Sequence, residues 1–182
     1  MTLLENNISD ISKESAITFS DSSWNGYVDT GRSTGDYIRI LQGGAVDYGS
    51  HLPVPVAISS GEAEYIAAAV ACMRASHLRM LVYDLQNMCS RNYNHTEIKQ
   101  PPAKIIIDNE ANIAMATYNK DTAGNRHVAR RYHYVRQDTS LKEYTFNWKG
   151  SKHQLADFLT KLSSPKNFSH LWDLILFQDN DD

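Results

Sequence analysis

Several things this 182-residue sequence has little of narrow its function before any motif is considered. Cysteine is scarce. Two residues, Cys72 and Cys89, build neither a disulfide framework nor a thiolate metal site, and a reduced compartment is the simpler inference. No apolar run approaches membrane-spanning length, and no secretory signal opens the chain. A basic excess is missing too: 18 Lys and Arg against 21 Asp and Glu leave a formal net charge of −3. No global positive field therefore draws a polyanion, and a nucleic-acid partner would need local positive charge or a neighbouring domain. Internal repeats and low-complexity tracts are absent. What is present is the length and the 42% apolar content of one globular domain with a proper core.

The stretch that organises the chain is Ser59-Ser60-Gly61-Glu62-Ala63-Glu64-Tyr65 and the apolar helix it opens, running to about Gln86. Ser59 followed three residues later by Glu62 is a capping-box pattern. Ala68, Ala71, Ala75, Leu78 and Val82 then recur at steps of three and four and mark one buried face. Four residues before Ala68 on that face lies Glu64, while Glu62, Arg74, His77 and Asp84 fall on the opposite, solvated side. A carboxylate at the top of a buried face must be protonated, paired or bound to metal.

In chain order, residues 1–14 form a polar leader or linker, residues 15–177 the domain, and residues 178–182 an acidic tail. Ala16–Asp21 is a short strand that breaks into the turn-rich Ser22–Gly26. Asp36–Leu41 and Ala45–Ser50 are two more strands around Gln42-Gly43-Gly44, a hairpin signal. His51–Ile58 is the loop into the central helix. Ala103–Asp108 is a buried, β-branched strand ending in a carboxylate, and Asn109–Tyr118 continues as a helix. A basic, aromatic-rich helix over Arg126–Gln137 precedes a strand at Glu143–Trp148. Helices at Gln154–Lys161 and Pro165–Phe177 close the domain. Three antiparallel strands, a helix and then strand–helix units imply a mixed α/β sheet with helices packed on it.

In such folds chemistry gathers at the carboxyl ends of strands. Asp21 ends the first strand, Asp108 ends the fourth, Glu64 opens the helix between them, and Asp157 sits in a late helix. Four carboxylates converging on one sheet edge would repel one another, and divalent cations relieve that repulsion. Oxygen donors favour Mg²⁺ or Mn²⁺, and two such ions suit in-line phosphoryl transfer.

The words around these carboxylates are more specific. They are Phe19-Ser20-Asp21-Ser22-Ser23-Trp24, Arg32-Ser33-Thr34, Ser59 to Ala67, Ile107-Asp108-Asn109, Arg126-His127-Val128, Arg131 to Arg136, and Gln154-Leu155-Ala156-Asp157-Phe158-Leu159-Thr160-Lys161. Together, and in this order, they resemble the ribonuclease H domain of copia-type (Pseudoviridae-like) LTR retrotransposon Pol polyproteins, over roughly Ile17 to Leu176. The resemblance implies the ribonuclease H fold, a five-stranded mixed sheet with helices on both faces. It implies endonucleolytic cleavage of the RNA strand of RNA–DNA hybrids in reverse transcription, leaving a 5′-phosphate and a 3′-hydroxyl. It also implies that Asp21, Glu64, Asp108 and Asp157 are the metal-binding, catalytic carboxylates. Asp21 would bridge two Mg²⁺ ions, replaceable by Mn²⁺, with Glu64 and Asp108 on one and Asp157 on the other. An adjoining reverse transcriptase domain is the implied partner, and the cytoplasm or a retrotransposon particle the implied location.

The chain departs from the family pattern in places. The histidine that many ribonucleases H carry in a loop before the last aspartate is missing; His153, four residues before Asp157, is a candidate local substitute, set against the plainer reading of a surface loop histidine. His51-Leu52 stands where the family often has paired lysines, and Gly61 where it usually has threonine. Local positive charge is concentrated in Lys120–Arg136, where Arg126, Arg130 and Arg131 are phosphate-contact candidates and Tyr132 and Tyr134 interleave. Ser22, Ser23 and Asn109, beside two of the carboxylates, are further backbone-contact candidates, whereas Trp24 either stacks on a sugar or, the preferred reading, plugs the core. Alternative readings remain a catalytically silent or weak module supporting a reverse transcriptase, a DNA-directed nuclease of the same fold, and a host protein that has adopted the domain.

Overall fold

The computed structural model describes residues 16–27, 29–52, 56–89, 101–117, 133–150 and 153–160, together with Pro165 and Ser169. Among them the chain runs β1 (Ile17–Tyr27), β2 (Arg32–Leu41), β3 (Gly44–His51), α1 (Ser60–Cys89), β4 (Ala103–Ile107), α2 (Glu110–Thr117), α3 (His133–Ser140), β5 (Tyr144–Trp148) and α4 (Asp157–Thr160). The strands form one sheet in the order β3-β2-β1-β4-β5. β1 pairs antiparallel with β2, and β2 with β3, while β4 runs parallel to both β1 and β5. This is the five-stranded mixed sheet expected, three antiparallel strands and then parallel ones. Parallel neighbours require a crossover, and the helices supply it.

Local chemistry explains the hairpin. Leu41 pairs with Gly44, and the two residues between them, Gln42 and Gly43, both take positive φ, 54° and 77°. That is the turn whose twist matches a two-residue β-hairpin, and glycine adopts it without steric cost.

Strand alternation divides the core in two. On one face Tyr65, Ala68, Ala69, Cys72 and Ala75 of α1 meet Ile105, Ile107, Tyr144 and Val135. On the other, Phe19 and Ile38 pack with Leu155 and Ala156, joined by the partly buried Ile17, Ile40, Ile106, Phe158 and Leu159. Helices therefore cover both faces.

Several boundaries differ from the sequence reading. β1 does not stop at Asp21 but continues to Tyr27, and β2 begins at Arg32 rather than Asp36. The polar run Ser22-Ser23 has turn-forming chemistry, yet its backbone pairs with Gly35 and Thr34, and that cross-strand pairing outweighs local preference. His51 is the last residue of β3 rather than part of a loop. The buried face of α1 also thins out toward its end. Ala68, Ala71 and Ala75 are buried, Leu78 and Val82 only half so, and Met80, Leu81, Leu85 and Met88 are exposed. The helix expected at 126–137 is described as α3 from His133 to Ser140, and the one expected at 154–161 as the single turn α4. The leader, the acidic tail and most of the 165–177 helix lie outside the described residues. No helix among the described residues is long and apolar enough to cross a membrane.

Candidate active site

Asp21 and Asp108 are brought level by the sheet. The β1–β4 register runs from Ile17↔Lys104 to Phe19↔Ile106, and two further residues along the parallel pair reach Asp21 on one strand and Asp108 beyond the other. Asp21 is thus in mid-strand, paired with Asp36 of β2 and buried, rather than at a strand end. Asp108 follows β4 directly and is half-buried. Its backbone is tied to the end of β5, for the Trp148 indole N–H donates to the Asp108 carbonyl at 3.1 Å and the Lys149 N–H to the Ile107 carbonyl at 3.1 Å.

Glu64 is placed by the start of α1. The Glu62 N–H donates to Ser59 Oγ at 3.1 Å, and the Ile58 N–H donates to Glu62 Oε2 at 2.8 Å. This reciprocal pair is the capping box expected of Ser59 and Glu62, reaching one residue further upstream than usual. It corrects the placement of Glu62 on the solvated side: folding back over the helix start leaves Glu62 only 6% exposed. Glu64, two residues on, is half-buried above Ala68. The side-chain amide of Asn112 in α2 donates to the Gly61 carbonyl at 3.1 Å and to Glu64 Oε2 at 3.3 Å. Asn112 therefore joins the segment after Asp108 to the turn bearing Glu64.

Asp157 opens α4 and is half-buried. Its turn is anchored by Gln154, which is fully buried. The Gln154 amide donates to the Ser20 carbonyl at 3.0 Å and to the Ile106 carbonyl at 3.4 Å, where the β1–β4 pairing stops. Two buried amides thus interlock the four segments that carry Asp21, Glu64, Asp108 and Asp157. Neither Asn112 nor Gln154 drew a role from the sequence. The available signals were a lone amide among the apolar residues of α2 and the Gln that opens the Gln154–Lys161 word.

The remaining candidates divide clearly. Ser22 is half-buried in β1 and faces away from Asp21 by strand alternation. Asn109 caps α2, its Oδ1 accepting from the Ala111 N–H at 2.9 Å and the Asn112 N–H at 3.2 Å. His153 is exposed, with its backbone N–H on the Gly150 carbonyl. Arg126, Arg130 and Arg131 lie outside the described residues. Arg136, counted with that basic segment, is instead buried and donates through Nε to the Met115 carbonyl at 2.8 Å. Tyr134 also turns inward, its hydroxyl on the Ala69 carbonyl at 2.7 Å. Trp24 is no core plug. It is 52% exposed, because β1 runs past Asp21 and carries it clear of the core.

Among the described residues, no group of three His, Cys, Asp or Glu side chains stands at metal-holding separation. The donor chemistry nonetheless suits a hard divalent cation, since every candidate ligand is a carboxylate. Asp36, opposite Asp21, is perturbed chiefly by its burial. Burial, offset in part by the Ser50 hydroxyl and reinforced by the Asp21 charge opposite, pushes the Asp36 carboxyl up to about 6.

No protein-family model matches the chain. Among curated proteins it is similar to the retrovirus-related Pol polyprotein from transposon TNT 1-94 of Nicotiana tabacum, 26% identical over 165 residues. That match takes in 89% of the chain and 11% of the polyprotein, so the chain spans about a tenth of the relative's length. Among solved structures it is similar to ribonuclease H1 from the halophilic archaeon Halobacterium salinarum (TM-score 0.54, 14% identity, 79% of this chain and 91% of that one). It is likewise similar to an N-terminal ribonuclease H domain from Mycobacterium tuberculosis (TM-score 0.53, 9% identity, 87% and 96%). At these identities the structural likeness establishes the fold.

Proposed function

We propose that this chain, a ribonuclease H domain of the copia-type retrotransposon Pol kind, hydrolyses the RNA strand of RNA–DNA hybrids. The observation that carries the proposal is the interlock described above, in which Gln154 and Asn112 join the four segments bearing Asp21, Glu64, Asp108 and Asp157. Their donor set would hold two divalent ions, Mg²⁺ or in its place Mn²⁺. When bound, such ions supply Lewis acidity and charge neutralisation for an in-line displacement at phosphorus.

The chain's own residues do the holding and orienting. Asp21, buried in mid-strand, would supply one of the ligands. Asn112 aims Glu64, and Gln154 keeps α4 and Asp157 against β1 and β4. Attack of water at phosphorus breaks the P–O3′ bond, leaving a 5′-phosphate and a 3′-hydroxyl. Arg126, Arg130 and Arg131, with Ser22 and Asn109, are proposed to contact the nucleic-acid backbone. Contacts to 2′-hydroxyls would distinguish RNA from DNA. His153, four residues before Asp157, is a proposed auxiliary group for product release. The proposed setting is intracellular, beside a reverse transcriptase domain.

Incubation of a labelled RNA–DNA hybrid, with matched RNA and DNA duplexes, tests the assignment in Mg²⁺, Mn²⁺ and EDTA. Hybrid-only, metal-dependent cutting that disappears in Asp108→Asn is the expected result. Equal cutting by Asp108→Asn would remove the assignment, and preference for the DNA duplex would favour a DNA-directed nuclease. The net charge of −3 favours a second reading, a module that is weak alone and takes its hybrid affinity from an adjoining polymerase domain. Cutting that appears only when such a domain is supplied would support it.

A further inference from the structure

Asp36 belongs to no part of the proposed carboxylate quartet, yet the sheet sets it directly opposite Asp21 in the antiparallel β1–β2 pair. Directly opposed residues on such a pair have Cβ atoms about 4.5–5.5 Å apart and share one face of the sheet. That face is the one covered by the Leu155–Leu159 segment, since Ile38, two residues along β2, packs with Phe19, Leu155 and Ala156. Asp157 lies within the same segment. Asp21, Asp36 and the turn bearing Asp157 therefore meet on one side of the sheet.

Asp36 is also short of partners. It is 0% exposed. Among the described residues, neither carboxylate oxygen has a partner in hydrogen-bond geometry, although the Ser50 hydroxyl opposite it on β3 lies near enough to favour its charged form. The nearest basic residue along β2, Arg39, is three positions away and engaged elsewhere, with the Arg74 carbonyl and Asp47. A wholly buried carboxyl that no cation among the described residues is seen to pair is costly, and native proteins seldom keep one without a role.

We propose that Asp36 is a fifth carboxylate of the metal centre, helping Asp21 to hold the divalent cation on the Asp157 side of the site. The inference rests on the metal-dependent reading above. It separates Asp36 from a purely structural buried acid, which would leave cation affinity untouched.

The test is a Mn²⁺ titration of EDTA-stripped protein, reading free Mn²⁺ by electron paramagnetic resonance, with wild type, Asp36→Asn and Asp108→Asn compared. Circular dichroism checks the fold of each. Asp36→Asn is expected to keep the fold and weaken Mn²⁺ binding by about 10–100-fold, as loss of a metal-supporting group does. The Mg²⁺-induced rise in melting temperature should shrink in parallel. Unchanged Mn²⁺ affinity in Asp36→Asn, with binding impaired in Asp108→Asn, overturns the inference and leaves the metal-dependent reading standing. A wild-type protein that binds no Mn²⁺ removes both. If Asp36→Asn fails to fold, Asp36→Ser is read by the same criteria.

Discussion

The side-chain amide of Asn112 is 4% exposed and spends both of its described bonds on the opening turn of α1. Replacing it with leucine keeps the volume and removes the donor that reaches the Gly61 carbonyl and the Glu64 carboxylate. Asn112→Leu should destabilise the domain by about 1–3 kcal/mol, measured by urea unfolding. Its effect on hybrid cleavage should exceed that of an exposed α2 substitution. His51 offers a pH signature. Burial first, and the Arg74 charge second, lower its pKa, with the Gly35 backbone acting the other way. The unfolded chain, titrating near 6.5, therefore takes up the proton before the native state does. The stability held by neutral His51 is complete above that value and is lost as pH falls below it. Melting temperature should accordingly fall more steeply below about pH 6.5 in wild type than in His51→Gln. Cys72 is simpler. Full burial pushes its thiol upward, and it should resist alkylation until the protein unfolds.

At the scale of elements, α1 and α4 matter most, for each delivers a carboxylate to a sheet it does not belong to. The capping box sets where α1 begins and hence where Glu64 stands. Ser59→Ala should cost about 1 kcal/mol in thermal unfolding, the usual loss for an N-cap hydroxyl. The close approach of α1 to β2 depends on Gly35, where a Cβ would stand 3.0 Å from His51 Cε1 and 3.1 Å from Ala67 Cβ. At a single turn, α4 is too short to hold itself, and Gln154 supplies the anchor. Gln154→Leu should leave the sheet intact while speeding hydrogen exchange of the 155–160 amides and lowering cleavage of the hybrid. Unchanged exchange there would show that α4 is held by its apolar contacts alone.

For the whole molecule, the mixed sheet and the resemblance to a Pol polyprotein agree with the order of motifs along the chain. A domain with net charge −3 that binds a polyanion must do so locally. Cleavage under limiting substrate should therefore decline steeply with added salt, and addition of EDTA should both abolish it and remove any Mg²⁺-dependent gain in melting temperature. A salt-insensitive reaction would argue against phosphate contacts by Arg126, Arg130 and Arg131.

The chain by itself determined the element order, the hairpin at Gln42-Gly43, the capping box at Ser59 and the resemblance to a Pol polyprotein, because each is written in local spacing or contiguous words. It also nominated Asp21, Glu64, Asp108 and Asp157, whose metal-ligand role awaits the tests above. Tertiary structure decided what depends on partners far away in sequence. Ser22 and Ser23 joined a strand because β2 offered them pairing. Glu62 was buried because Ile58 turned back to it, and Arg136 because the Met115 carbonyl accepts from it. The roles of Asn112, Gln154 and Asp36 are of the same kind. A polar side chain's use is set by what the sheet register and helix packing place within about 3 Å of it, and no local pattern encodes that distance.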